Sequence, residues 1–299
     1  MNQFIAVAVV TAILGVGGAA SAQTPGHSRQ AAEHLLGVLN TYQRASLVAP
    51  TVQPTSAAAA RRPRHAYESA REVANRINLL RRLLGQDEVP LPDLPRGEVM
   101  PAMVQALVQR TVIAASDLAP LYGAPALPPA PALKDGSTPG DVVQVLATVI
   151  TALVSLGVPP QVPNDAAAVA SVLGQEMEAV RQALAVGEEA WPMPIEPGRT
   201  PQDSLQAAVA FSHALAEVVE RRPALAPSGG VVKLEAAAGQ VTPQHVVDAL
   251  RVVLADVRAI RSIVAPAAAP VGVEAGVGMT PSHVHSAIRT AQATLDQLR

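Results

Sequence analysis

Thr138-Pro139-Gly140-Asp141-Val142-Val143, Thr200-Pro201-Gln202-Asp203-Ser204-Leu205, Thr242-Pro243-Gln244-His245-Val246-Val247 and Thr280-Pro281-Ser282-His283-Val284-His285 are four versions of one phrase. That phrase is a helix start. Threonine as N-cap accepts a bond from an orphan amide of the first turn. Proline at the first helical position has its φ preset and no amide to leave unpaired. Asp or His two residues after the proline can reach back to the N-cap amide, as in a capping box. Arg62-Pro63-Arg64-His65-Ala66-Tyr67 is a degenerate fifth member.

The likeness continues beyond the cap, which makes these units a repeat. Counting from the proline as zero, position +7 holds Ala70, Leu146, Ala208, Leu250 and Ile288, and position +14 holds Ile77, Leu153, Leu215, Val257 and Leu295. With positions +4, +10 and +17 they fall within an arc of about 140° on a helix, apolar except at His285. Each unit therefore buries one stripe of one helix. Units with His at +2 also carry arginine at +8 (Arg71, Arg251, Arg289) and at +18 (Arg81, Arg261, Arg299); the Asp units do not. The five prolines are 76, 62, 42 and 38 residues apart. A strict solenoid keeps its period, so an irregular repeat is expected, with extra helices in the longer intervals.

Proline and glycine clusters divide the chain into eight stretches of helical periodicity: 27–48, 64–84, 98–117, 139–156, 165–186, 201–221, 243–264 and 281–298. The expected fold is all-α, an irregular helical repeat or one or two bundles of about eight helices with Pro-rich connectors and antiparallel packing. Residues 49–62 read as a loop. The run Ala124-Pro125-Ala126-Leu127-Pro128-Pro129-Ala130-Pro131-Ala132-Leu133 reads as a polyproline-like connector. The expected division is thus a helical region over 23–118, a connector over 119–137 and a repeat region over 138–299.

Composition agrees. The chain is 49% hydrophobic but only 2% aromatic, so its core must come from Ala, Val and Leu, which suits closely packed helices. A net charge of −2 without long runs of one sign gives no electrostatic footprint for nucleic acid. Zero cysteine excludes disulfides, thiolate metal sites and a cysteine nucleophile.

Phe4 to Ala20 is an uncharged apolar stretch ending in Ala20-Ser21-Ala22. Such a segment reads as a signal peptide over residues 1–22 with cleavage after Ala22, although no Lys or Arg precedes it. An uncleaved membrane anchor is the alternative. A periplasmic or secreted chain with no later transmembrane segment is expected.

Few residues invite chemistry. No His-x-x-x-His, Glu-x-x-His, Gly-x-Ser-x-Gly or phosphate-binding glycine loop occurs in the mature region. His65, His245 and His283 would converge on a metal only if their helix starts met at one end of a bundle; the plainer reading makes them capping residues. Neither catalytic residues nor a cofactor are expected. A binding face could form from Arg71, Arg81, Arg251, Arg261 and the loop residue Trp191, meeting an envelope protein or an anionic surface. The plainer reading has the arginines snorkelling over the apolar stripe. The expectation is an exported binding or scaffolding module, with a carrier of a small apolar ligand and a metal-dependent enzyme as alternatives. Leu250→Ala should cost about 2–5 kcal/mol if the stripe is buried, and Arg251→Ala little.

Overall fold

A computed structural model describes residues 23–54, 59–124, 126–236, 239–274 and 276–299; the signal-peptide reading of 1–22 lies outside them. The described residues are all-helical: α1 (Pro25–Ala45), α2 (Pro63–Leu83), α3 (Pro101–Ser116), α4 (Pro139–Ser155), α5 (Pro163–Leu184), α6 (Pro201–Arg221), α7 (Pro243–Val264) and α8 (Pro281–Asp296). Two short 3-10 turns, Ala119–Tyr122 and Pro223–Leu225, lie in the connectors.

Every one of these helices begins with proline, including three starts that a search for Thr-Pro-x-Asp/His in mid-chain passes over: Thr24-Pro25-Gly26-His27, Met100-Pro101-Ala102-Met103 and Val162-Pro163-Asn164-Asp165. With them the spacing within each half becomes nearly regular. The first four prolines, 25, 63, 101 and 139, are 38 residues apart each time, and the last four, 163, 201, 243 and 281, are separated by 38, 42 and 38. In all eight the residue at N3 binds the N-cap amide. His27, His65, His245 and His283 accept through Nδ1, Asp141, Asp165 and Asp203 through a carboxylate oxygen, and Met103 through sulfur. Bonds from the Thr200 hydroxyl and amide hold the Asp203 carboxyl below its ordinary pKa range.

The helices within each half run parallel, not antiparallel as expected. Pro25, Pro63, Pro101 and Pro139 surround one point, and Ser28 at the start of α1 donates to the Pro101 carbonyl at the start of α3. At the far end Tyr42 near the end of α1 donates to Ala115 near the end of α3, 2.7 Å away. Ser204 and the Pro281 carbonyl join the starts of α6 and α8, while Arg299 and Glu217 face each other at their far ends. Around the first bundle the order is α1, α3, α2, α4, and around the second α5, α7, α6, α8.

Parallel neighbours require a return path, and the period provides it. A 21-residue helix is about 31 Å long, and the 17 residues that follow reach roughly 55 Å when extended. The returns run back along helix surfaces. Residues 86–92 follow α2 downward, with Asp87 bound by Arg81, Val89 by Asn78 and Pro92 by Arg71. Residues 128–134 follow α1, with Pro128 on His34, Pro131 on Gln30 and Lys134 on Glu33. Prolines in these segments carry no amide that would need a partner.

Two cores result. One is built from α1–α4 together with Val158, the other from α5–α8 with Leu225 and Leu234. The division therefore falls in residues 156–162, between α4 and α5, and not in the 119–137 connector; that connector is an internal return of the first bundle, because α4 packs against α1 and α2. Seven linker residues span at most about 25 Å, too little to return along α4 and cross to a new axis. The second bundle consequently points the opposite way: going up α2 from Arg64 to Glu72, the partners on α7 descend from Asp256 to Arg251.

Candidate functional site

The surface between the bundles, where α2 lies against α7, is built from charges. Arg64 Nε lies 2.7 Å and His65 Nε2 2.9 Å from Asp256 Oδ1. Glu72 is held by Arg76 at 2.7 Å, by Gln161 at 2.6 Å and by Arg251 of α7. Glu68 meets Arg258 at 2.5 Å and Arg251 at 4.0 Å. Arg258 also reaches Glu176 of α5 at 3.1 Å, and Arg261 Nε lies 2.7 Å from the other oxygen of Glu176, with its N–H not aimed at that oxygen. The same groups tie down connectors: Asp256 accepts the Val232 amide, Glu176 the Val271 amide, and Arg64 donates to the Ser228 carbonyl.

All four carboxylates are buried, and five guanidiniums meet them. Burial opposes ionisation of Glu72, yet Arg251, Arg76 and Gln161 outweigh it and hold its pKa below the ordinary carboxylate range. Burial likewise opposes ionisation of Asp256, and the bonds from His65, Arg64 and the Val232 amide reverse that direction. His65 is pushed down by burial, against the pull of Asp256. Geometry agrees with the neutral ring. Nδ1 accepts the Arg62 amide at 2.8 Å, so the single proton sits on Nε2 and faces Asp256.

This His–Asp pair has the makings of acid–base chemistry but not the access. The ring is 1% exposed, and its one lone pair is already committed to a backbone amide. A general base needs a free lone pair within reach of a substrate proton. The arrangement holds bundles together.

The expected metal set does not assemble. His65 binds the middle of α7, and His245 begins that helix eleven residues, or about 16 Å, earlier. His283 caps α8 on the opposite diagonal of the second bundle. Among the described residues there is no group of three His, Asp or Glu placed to hold a metal. Antiparallel α2 and α7 separate the helix starts that a metal site would have needed together.

The expected arginine face is turned inward as well. Arg81 is buried against the carbonyls of Asp87 and Ala114, Arg251 against Glu72, and Arg261 against Glu176 and the Ala268 carbonyl; Arg71, half-buried, donates to Pro92. They do not form a surface. Trp191 stands apart from them and is 88% exposed. Sequence reading missed that arginines at +8 and +18 bind carboxylates and carbonyls of the chain itself. The partial signal was that in the five recognised units these arginines accompany His at +2; α5, with Asp165 at +2 and Arg181 at +18, does not follow it.

One large surface feature is a groove of about 620 Å³ between α5 and α8, floored by Ala167, Ala170, Gly174 and Ala287 and edged by Gln175 and Pro192. Trp191 is the neighbour of Pro192 on its rim. A second cleft of about 350 Å³ opens beside Arg62, Tyr67 and Arg258 where the bundles meet. No helix among the described residues is long and apolar enough to cross a membrane. Comparison with protein-family models, with curated proteins and with solved structures finds no match to this chain.

Proposed function

We propose that this protein is an exported, helical binding or scaffolding module of the bacterial envelope that does no covalent chemistry. The observation that carries the reading is the open groove between α5 and α8, beside Trp191, which is 88% exposed, on a molecule whose buried His65–Asp256 pair and interface arginines are engaged with the chain itself. Exposed apolar surface of this kind on a protein with packed cores is how interaction sites are recognised. The leader at residues 1–22 supports export, and the absence of cysteine suits an oxidising compartment without depending on it.

The carrier alternative has one observation in its favour, the size of that groove, which is within the range of small-molecule sites. A lumen along the bundle axis is a poorer place for a ligand: where α1–α4 begin, the space is about 10 Å³, no more than a single water needs.

Two measurements test the reading. N-terminal sequencing of the protein from its host envelope should begin at Gln23; a chain found in the cytoplasm with Met1 intact sinks the export claim. Cross-linking in envelope extract should yield a stoichiometric protein partner. Recovery of the protein alone would reject scaffolding, and a co-purifying small molecule in native mass spectrometry would favour the carrier.

A further inference from the structure

Among the described residues, which include every histidine of the chain, His65 is the one histidine that is buried and the one with both ring nitrogens engaged. His27, His245 and His283 use Nδ1 alone, on the N-cap of their own helix. His34 and His213 use Nε2 alone, on the carbonyls of Pro128 and Leu234. At His65 the two nitrogens serve different bundles. Nδ1 accepts the Arg62 amide that opens α2, and Nε2 donates to Asp256 of α7.

His65 also stands at one end of the α2/α7 seam. The other end is at the linker, where Gln161 donates to Glu72 at 2.6 Å and Arg76 to the Pro159 carbonyl at 2.8 Å. Glu72 lies seven residues along α2 from the ring, about 10 Å. At the His65 end side chains alone cross between the bundles. Asp256 Oδ1 takes both Arg64 and His65, and the guanidiniums of Arg62 and Arg64 donate to the carbonyls of Gly229 and Ser228. The cleft beside Arg62 and Tyr67 opens at this end, between residues 94–101 and 227–229. A seam tied by the chain at one end and by side chains at the other is built as a hinge and a latch.

The neutral ring suits both duties, with one acceptor and one donor. A protonated ring has two donors, and its Nδ1–H would meet the Arg62 N–H, whose nitrogen is 2.8 Å away. Because the ring is rigid, a turn that takes Nδ1 off the amide takes Nε2 off Asp256 as well. The charged neighbours do not repair this. Asp256 faces the ring from α7, but Arg64 shares the same oxygen and the Val232 amide holds the other. Arg64 and Arg61 add positive charge beside the ring, and Glu68, one turn along α2, is occupied by Arg258 and Arg251. Burial, with those two arginines, outweighs Asp256 and holds the imidazole below its ordinary pKa.

We propose that His65 is an acid-released latch: protonation of its ring frees the start of α2 from α7, and the bundles swing apart about the 156–162 linker. The test uses the full protein with spin labels at Arg96→Cys and Ala226→Cys, two exposed positions beside residues that line the cleft, in a chain that has no cysteine of its own. Between pH 8 and 5 the label distance should lengthen while helical circular dichroism stays unchanged. The ratio of open to closed molecules should rise by up to about tenfold per pH unit below about pH 6.5. Imidazole nitrogen-15 spectra of the same protein should show His65 gaining its proton over the same interval. In His65→Asn, whose fold is checked by its melting curve at pH 8, the distance should no longer depend on pH. Asp248→Asn, which removes the carboxyl that faces Glu72 and Arg251 from α7, should respond as wild type does. The proposal is overturned if the distance is constant down to pH 5, if the ring takes its proton without any change in distance, if His65→Asn opens with acid as wild type does, or if Asp248→Asn abolishes the opening.

Discussion

At the scale of single residues, the backbone shows where the repeat is imperfect. After α1, α2, α3 and α5 the chain turns left-handed twenty-two residues past the helix proline: Gly85 and Gly123 take positive φ there, and so do Leu47 and Ala185, at 59° and 50°. A side chain in that region costs about 1–2 kcal/mol, partly offset because glycine gains freedom in the unfolded chain. Leu47 is exposed and contributes nothing to a core. Leu47→Gly should therefore stabilise the protein by about 0.5–1 kcal/mol, measured by urea unfolding. His65 makes a second residue-scale prediction. Its pKa is depressed in the folded state by burial, so the unfolded chain binds the extra proton. Its stability contribution is complete above about pH 6.5, the ordinary imidazole value, and is lost as pH falls below it. For one proton the slope approaches 1.4 kcal/mol per pH unit. Urea midpoints between pH 5 and 8 should fall on the acid side, with a shallower slope in His65→Asn; equal slopes would mean that folding does not depress the His65 pKa.

At the scale of elements, the helices were legible and the connectors were not. Thr-Pro-x-Asp/His starts and a five-position apolar stripe place α4, α6, α7 and α8 to within a residue or two, because capping and amphipathicity are local. The connectors looked like proline-rich spacers, yet they are held residue by residue. Asn40 and Asn78 each stand fifteen residues after a helix proline, and each exchanges two bonds with the backbone eleven residues further on, at Thr51 and Val89. Asn78→Ala should leave the Val89 amide and carbonyl without their partner and cost about 1–3 kcal/mol. Hydrogen exchange should then accelerate in residues 86–92 before it does in α2. A return segment that stays equally protected would show that its prolines alone hold it.

At the scale of the whole molecule, the two bundles meet through paired charges, whereas each core is packed from Ala, Val and Leu. Leu250 is fully buried in the second core, so the expected loss of about 2–5 kcal/mol for Leu250→Ala stands. Arg251, one residue on, is the correction. It lies buried between Glu72 and Glu68 across the interface, and removing one partner of a buried pair is costly because the other charge stays uncompensated. Glu72 keeps Arg76 and Gln161, so Arg251→Ala should cost about 2–4 kcal/mol instead of little. Because the loss is between bundles, helical circular dichroism should persist while small-angle scattering shows a larger radius of gyration. Glu72→Arg should do the same, and Glu72→Arg with Arg251→Glu should recover part of the compact form.

The sequence by itself determined what local physics controls: that the chain is helical, where each capped helix begins, and which stripe of it is apolar. It also carried the 38-residue period, which the three less obvious starts obscured. Only the tertiary structure decided direction and partnership. A helix stripe is the same whether its neighbour runs parallel or antiparallel, so nothing in the pattern of Ala, Val and Leu shows that four helix starts meet at one end. Nor can an arginine's position on a helix say whether it faces solvent or a carboxylate from a helix almost two hundred residues away. Long-range pairing settled both, and with them the fate of His65 and of the arginine stripe.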